Sequence, residues 1–167
     1  MNLEKGNKEF LDKLDNNKEL KGRRDELVKG QHPDTLVITC SDSRVVPEYI
    51  FNAQLGELFV IRTAGNVINE GELATVEYAI KHLKVKRIIV LGHTHCGAIH
   101  AAINDEQGKY LDPILRRIKT NISIITNETM AAKMNSIGEA EYLRSKFPDY
   151  KGTIESMMYD IETSNVF

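Results

Sequence analysis

The chain has 167 residues, of which 41% are apolar and 28% charged, and its net charge is -2. That length suffices for one domain with its own core, and interspersed charges near neutrality exclude a polybasic nucleic-acid or membrane surface. No apolar run approaches the roughly 18 residues of a membrane span, and the N-terminal Met-Asn-Leu-Glu-Lys-Gly lacks a signal peptide's apolar stretch, so a cytoplasmic setting is expected.

Residues 2–29 read as helical, with Leu3, Phe10, Leu11 and Leu14 forming a partial apolar stripe. Asn16-Asn17 breaks the pattern before Leu20, Leu27 and Val28 resume it. So sparse a stripe among so many charges is weakly held by its own domain. Residues 1–30 are therefore expected to form an arm whose helices pack on a partner subunit, the plainer alternative being a loosely packed arm. Gly30-Gln-His-Pro33 is a turn, because Pro33 disfavours helix at His32.

Leu36–Cys40 follows as a buried strand, Pro47 opens a short helix over Glu48–Phe51, and Leu58–Ile61 is a second strand. Arg62–Asn66 reads as a loop and Gly71–Leu83 as a helix with Leu73, Val76, Ile80 and Leu83 on one face. Val85 and Arg87–Leu91 make the third strand, ended by Gly92. His93–Cys96 then turns into a small-residue helix, Gly97–Ile103. Past the polar loop Asn104–Tyr110, Pro113 opens a helix carrying Ile114, Leu115, Ile118, Ile122 and Ile125. A further helix over Glu128–Phe147 presents Met130, Met134, Ile137 and Leu143, the methionines read as gap-filling core. Thr153–Tyr159 is the last strand, and Val166-Phe167 a terminal extended piece.

Near-continuously apolar strands separated by helices imply a single α/β domain over residues 1–167. Its centre is expected to be a mostly parallel sheet of about four to five strands flanked by helices. Ligands of such sheets collect at the carboxyl ends of the strands.

Two cysteines occur, Cys40 and Cys96, and in a reducing compartment they would not form a structural disulfide. Taken alone, two unrelated buried thiols is an equally good reading. Their settings decide the matter: Cys40-Ser-Asp-Ser-Arg44 follows the first strand, and His93-Thr-His-Cys96 follows the third. Cys40, His93 and Cys96 make a candidate zinc site of the catalytic kind, with three protein ligands and one open position. A structural site would want a fourth thiolate or imidazole, and there is no third cysteine. Of the other histidines, His82 reads as surface and His95 as a supporting or solvent-facing group. His100 is a weaker candidate for proton transfer, and His32 for a place near the cleft mouth.

Asp42 has three readings. It is a turn or helix cap; or a carboxylate fixed by a bidentate pair with Arg44, accepting a hydrogen bond from a zinc-bound water; or a fourth ligand that closes the site. Rival chemistries fail on spacing. A phosphatase-type loop needs five residues between Cys and Arg, where this chain has three. Neither Cys-x-x-Cys, a Walker A loop nor Gly-x-Gly-x-x-Gly is present.

At these residues the chain resembles the β-class carbonic anhydrases, which carry Cys-x-Asp-x-Arg and, after a gap, His-x-x-Cys followed by Gly. Both motifs are present, as Cys40-Ser-Asp-Ser-Arg44 and His93-Thr-His-Cys96-Gly97. The segments Gly56–Arg62, Ala64-Gly-Asn66 and Tyr159–Thr163 also resemble the family's connecting segments. The resemblance implies one zinc ion per chain, held by Cys40, His93 and Cys96, with Asp42 as a further ligand in a closed state only. It implies catalysis by Asp42 with Arg44, a substrate contact from Gln31 and a pocket wall at the backbone of Gly97. It places the site at the interface of a homodimer or dimer-based tetramer.

The implied reaction is reversible hydration of carbon dioxide to bicarbonate and a proton, by attack of zinc-bound hydroxide. Two thiolates offset most of the ion's charge, so activity is expected to favour alkaline pH. The alternatives are hydrolysis of carbonyl sulfide or carbon disulfide on the same site, and a non-catalytic zinc-binding or sensing protein. Two departures stand out. Ser164-Asn165 occupies a place where the family usually has Gly, and the region after Asn104 is short, so the chain reads as a compact member.

Overall fold

Stretches rich in β-branched residues and leucine become the strands β1 (Thr35–Cys40), β2 (Leu58–Thr63), β3 (Arg87–His93) and β4 (Thr153–Tyr159) in a computed structural model describing residues 1–167. They form one sheet in the order β2-β1-β3-β4, every pair parallel. Seven α-helices accompany it: α1 (Leu3–Asn16), α2 (Lys18–Leu27), α3 (Pro47–Ile50), α4 (Glu70–Tyr78), α5 (Gly97–Ile103), α6 (Asp112–Ile122) and α7 (Glu128–Lys146). The expected α/β architecture is therefore the observed one, with four strands. No helix is long and apolar enough to cross a membrane.

Alternation along β1 divides the core. Leu36 and Ile38 join Ile88, Val90, Val76 and Leu143 beneath α4 and α7, whereas Val37 joins Val45, Ile89 and Leu91 on the opposite face. Cys40, two residues beyond Ile38, continues the first face into a cluster with Val67, Cys96, Ile99, Leu115 and Ile118. The β1–β3 register pairs Thr39 with Leu91, so the end of β1 lies level with the end of β3. This pairing brings two segments more than fifty residues apart to the carboxyl end of the sheet's centre.

The helix read over Gly71–Leu83 is α-helical to Tyr78 and widens to a π-turn over Ala79–Leu83, α6 ends at Ile122 short of Ile125, and three further details differ from the sequence reading. β3 does not stop before Gly92 but continues through His93, pairing Gly92 with Met158 and His93 with Tyr159. Glycine is required there by close approach: a Cβ would stand 2.7 Å from Met158 Sδ and 3.2 Å from the Ala132 carbonyl oxygen on α7. β2 likewise takes in Arg62 and Thr63, and only Ala64–Asn66 forms a tight turn. The inner face of α7 is not built from Met130, Met134 and Ile137. Met130 is exposed, and the buried residues are Ala131, Ala132, Asn135, Ser136, Glu139, Ala140 and Leu143. Small side chains let α7 lie close to β3, and the polar ones serve the turn described below.

The break between α1 and α2 lies where the paired asparagines were read. Asn17 leaves helical geometry and its side chain accepts a hydrogen bond from the Leu20 amide at 2.9 Å, capping α2. Of both helices only Leu14 is buried. At the other terminus Val166 pairs antiparallel with Tyr159, and Met158 and Phe167 exchange backbone hydrogen bonds at 2.9 Å. The terminal extended piece thus covers the outer edge of β4.

Candidate metal centre

Each potential ligand arrives through a local device. Cys40 is the last residue of β1, and His93 the last of β3. After His93 the chain reverses at His95, which adopts a left-handed φ of 55°. Cys96 then sits at the N-cap of α5 in extended conformation, directly before the helix begins at Gly97. The result is a buried trio, Cys40, His93 and Cys96, whose ligand atoms all lie within 4.8 Å of one another. The two sulfurs are 3.9 Å apart.

The donor set fits a zinc ion. Two thiolates bound tetrahedrally at about 2.3 Å would sit about 3.8 Å apart, close to the separation seen. His93 Nδ1 lies 2.8 Å from the Thr94 carbonyl oxygen, which can only accept, so that nitrogen carries the proton. Nε2 is then a bare acceptor, buried and without any hydrogen-bond partner. An orphaned buried nitrogen is costly, and a metal would satisfy it.

The charges favour a cation as well. The Cys96 thiol beside it pulls the Cys40 pKa down to about 4 against the effect of burial, with the Asp42 and Gly65 amides helping. Cys96 is pushed upward by the Cys40 thiolate and by burial. Asp42 is held down to about 2, first by its hydrogen bonds from the Arg44 side chain.

Those bonds form the bidentate fork read from Asp-x-Arg. Arg44 Nε donates to Asp42 Oδ1 at 2.9 Å and Nη2 to Oδ2 at 2.7 Å, while the Arg44 amide adds a third bond to Oδ1 at 2.9 Å. Nη2 is also anchored on the His95 carbonyl oxygen at 3.1 Å. Both carboxylate oxygens therefore face Arg44, and Asp42 is not among the converging ligand atoms. In this conformation the carboxylate does not close the site.

The remaining candidates scatter. Gly97 opens α5 directly after Cys96, with no atom within 4 Å of the position a Cβ would take. Gln31 and His32 precede β1 and so lie at its amino end, roughly 20 Å of strand away from Cys40. Gln31 instead lines a shallow groove with Arg24, Leu27, Val28, Leu55 and Gly56. His82 is exposed and stacks on Tyr78. His95 is exposed and pairs with Glu162 at 3.1 Å, and His100 pairs with Glu128 at 2.7 Å on the surface. Two groups touching Cys40 had not been read from sequence. The Gly65 amide donates to its sulfur at 3.3 Å, and Arg62 Nε to its carbonyl oxygen at 3.3 Å. Arg62 Nη2 further binds the Asp42 carbonyl oxygen at 2.6 Å, tying β2 to the loop that carries the fork.

Fold and cluster together define a parallel α/β protein with a candidate metal centre at the carboxyl ends of its two central strands. A sequence model of the family described as carbonic anhydrase matches residues 35–141. The chain belongs to that family, in its β class. It is 33% identical over 168 residues to a carbonic anhydrase of Synechococcus elongatus, an alignment covering 85% of this chain and 62% of that protein. It is 44% identical over 101 residues to carbonic anhydrase 2 of Mycobacterium tuberculosis, covering 58% of this chain and 49% of that one. The chain thus spans about half to three fifths of these curated relatives. Among solved structures, a tetrameric β-carbonic anhydrase of the filamentous ascomycete Sordaria macrospora superposes with a TM-score of 0.84 at 27% identity, covering 99% of this chain and 93% of that chain.

Proposed function

We propose that this chain is a zinc-dependent carbonic anhydrase, hydrating carbon dioxide reversibly to bicarbonate and a proton. The observation that carries the reading is the convergence of two sulfurs and an unpartnered imidazole nitrogen beside a carboxylate already forked by arginine. When bound by Cys40, His93 and Cys96, zinc would supply Lewis acidity and a nucleophile drawn from water near neutral pH.

The chain's own residues do the rest. The Thr94 carbonyl keeps the His93 proton on Nδ1, so Nε2 offers its lone pair. Arg44 keeps Asp42 ionised and oriented. Asp42 Oδ2 accepts only one of the fork's bonds and retains room for another donor. That oxygen would take the proton-bearing side of the nucleophile and turn its lone pair toward the substrate carbon. The bare backbone of Gly97 leaves space beside Cys96 for a small linear molecule. Gln31, at the wrong end of its own β1, would reach substrate only from a second copy of the chain, which accords with a homodimer or a dimer-based tetramer.

Zinc analysis combined with stopped-flow carbon dioxide hydration tests the reading. Wild type should carry about one zinc per chain and turn over carbon dioxide, faster at alkaline pH. Cys96→Ala should lose both the metal and the rate. A wild type with full zinc and no hydration between pH 6.5 and 9 would sink the proposal. Turnover of carbonyl sulfide or carbon disulfide in its place would move the assignment to a hydrolase, and no turnover at all to a zinc-holding protein.

A further inference from the structure

Inside the domain, Glu139 on α7 is a carboxylate with no solvent exposure. Arg117 forks it, Nε to Oε1 at 2.7 Å and Nη2 to Oε2 at 3.2 Å, and Asn121 Nδ2 donates to Oε1 at 2.9 Å. The Ile68 amide donates to Oε2 at 3.3 Å. One turn earlier on the same face of α7 stands Asn135, also fully buried. Its Oδ1 accepts from Asn121 Nδ2 at 3.0 Å, and its Nδ2 donates to the Gly65 carbonyl oxygen at 2.8 Å.

Asn135 and Glu139 thus clamp the segment Gly65–Ile68 at both ends. The clamped residue matters because the Gly65 amide is the donor to Cys40 Sγ. Gly65 adopts a left-handed φ of 64°, and a Cβ on it would stand 3.0 Å from Ile118 Cδ1 and 3.1 Å from Ala98 Cβ. Asn135 holds the Gly65 carbonyl, and the left-handed φ with its tight packing couples that peptide to the preceding one, which carries the N–H aimed at Cys40.

We infer that the buried Asn135–Glu139 pair is a positioning device for the metal centre, aiming the Gly65 N–H at the Cys40 sulfur. A hydrogen bond to a ligating sulfur withdraws charge from it, so less of the metal's positive charge is offset and its Lewis acidity is preserved. Partners that orient a ligand in this way typically change metal affinity or activity 10–100-fold when removed. The inference rests on Cys40 being a zinc ligand as proposed above.

The test uses Asn135→Ala and the isosteric Glu139→Gln in the full chain, each checked by circular dichroism for native content. Zinc affinity is measured by competition with a chelator, and the sulfur-to-metal charge-transfer band is recorded with cobalt in place of zinc. Asn135→Ala should bind zinc 10–100-fold more weakly and shift the band to longer wavelength, because the sulfur loses its donor. Glu139→Gln should shift it less, in the same sense. Arg87→Gln, which removes only the ion pair to Glu155, should leave the band where it was. A folded Asn135→Ala with an unmoved band and zinc affinity within twofold of wild type would overturn the clamp.

Should neither clamp variant fold, cadmium-113 in the wild-type centre decides. The Gly65 amide proton should show scalar coupling to the metal through sulfur, and its absence would equally overturn the inference. A wild type that binds none of these metals would instead sink the zinc reading itself.

Discussion

Asp42 accepts three hydrogen bonds from a single residue, and the fork of Arg44 supplies two of them. Asp42 is largely covered, at 15% side-chain exposure, but Arg44 stands half in solvent at 50%, so the pair's worth to stability is small; its value lies in orientation and charge. Asp42 is held at about 2, below the ordinary carboxylate range. Any acid limb in the rate profile above about pH 4 therefore belongs to another group. Asp42→Asn should lower carbon dioxide hydration by roughly 10²-fold or more at every pH while leaving zinc content unchanged. Arg44→Ala should let the Asp42 pKa rise toward the usual range, visible by titration of a carbon-13 label on that carboxylate. A full-rate Asp42→Asn enzyme would return Asp42 to a turn cap. At this scale the sequence was legible where chemistry resides in side-chain identity: two thiols, an imidazole and Asp-x-Arg. Gly65 escaped because its contribution is a backbone amide, and a glycine in a presumed loop carries no mark of what its N–H faces. Asn135 and Glu139 escaped because polar residues within a helix ordinarily signal its solvent face.

The strands declared themselves through apolar runs, and the helices α5 and α7 began at the glycine and glutamate read from sequence. What periodicity could not supply was how closely elements approach. Gly92 looked like a strand terminator, yet it is a paired strand residue that makes room for α7. Of the large apolar residues read as the core face of α7 only Leu143 is buried, and close packing on β3 otherwise selects small residues such as alanine and serine. Just before β4 the Tyr150 hydroxyl donates to the Val85 carbonyl oxygen at 3.0 Å, joining the two segments that lead into β3 and β4. Burial, with a smaller contribution from the charge of Asp34, pushes the Tyr150 pKa up to about 12. Near pH 11 the folded chain still holds this proton, while an unfolded tyrosine with its ordinary pKa of about 10 has lost it. Stability from this group is thus complete below about pH 10 and declines as pH rises toward the folded value. Urea midpoints from pH 9 to 12 should fall more steeply for wild type than for Tyr150→Phe. Equal slopes would show that the hydroxyl is not held as described.

As a whole the molecule leaves one part unfinished. α1 carries Leu3, Phe10 and Leu11 at 70%, 48% and 45% exposure, and across α1 and α2 only Leu14 is buried. Burying such side chains fully contributes about 1.5–3 kcal/mol each, a gain that this chain does not obtain alone. The substrate contact proposed for Gln31 raises a matching question, since Gln31 follows α2 at the amino end of β1 while Cys40 ends that strand. One arrangement answers both: the arm of one copy lies on another and carries Gln31 toward the other copy's site. Sedimentation should then find wild type as a dimer or larger, and the double variant Phe10→Ser with Leu11→Ser should shift it toward monomer. Hydration should fall with assembly while each chain keeps its zinc, because Cys40, His93 and Cys96 all come from one chain. Gln31→Ala separates the two effects, lowering the rate without changing the sedimentation coefficient. A monomeric wild type with full hydration would remove the arm from the mechanism and leave Gln31 a surface residue.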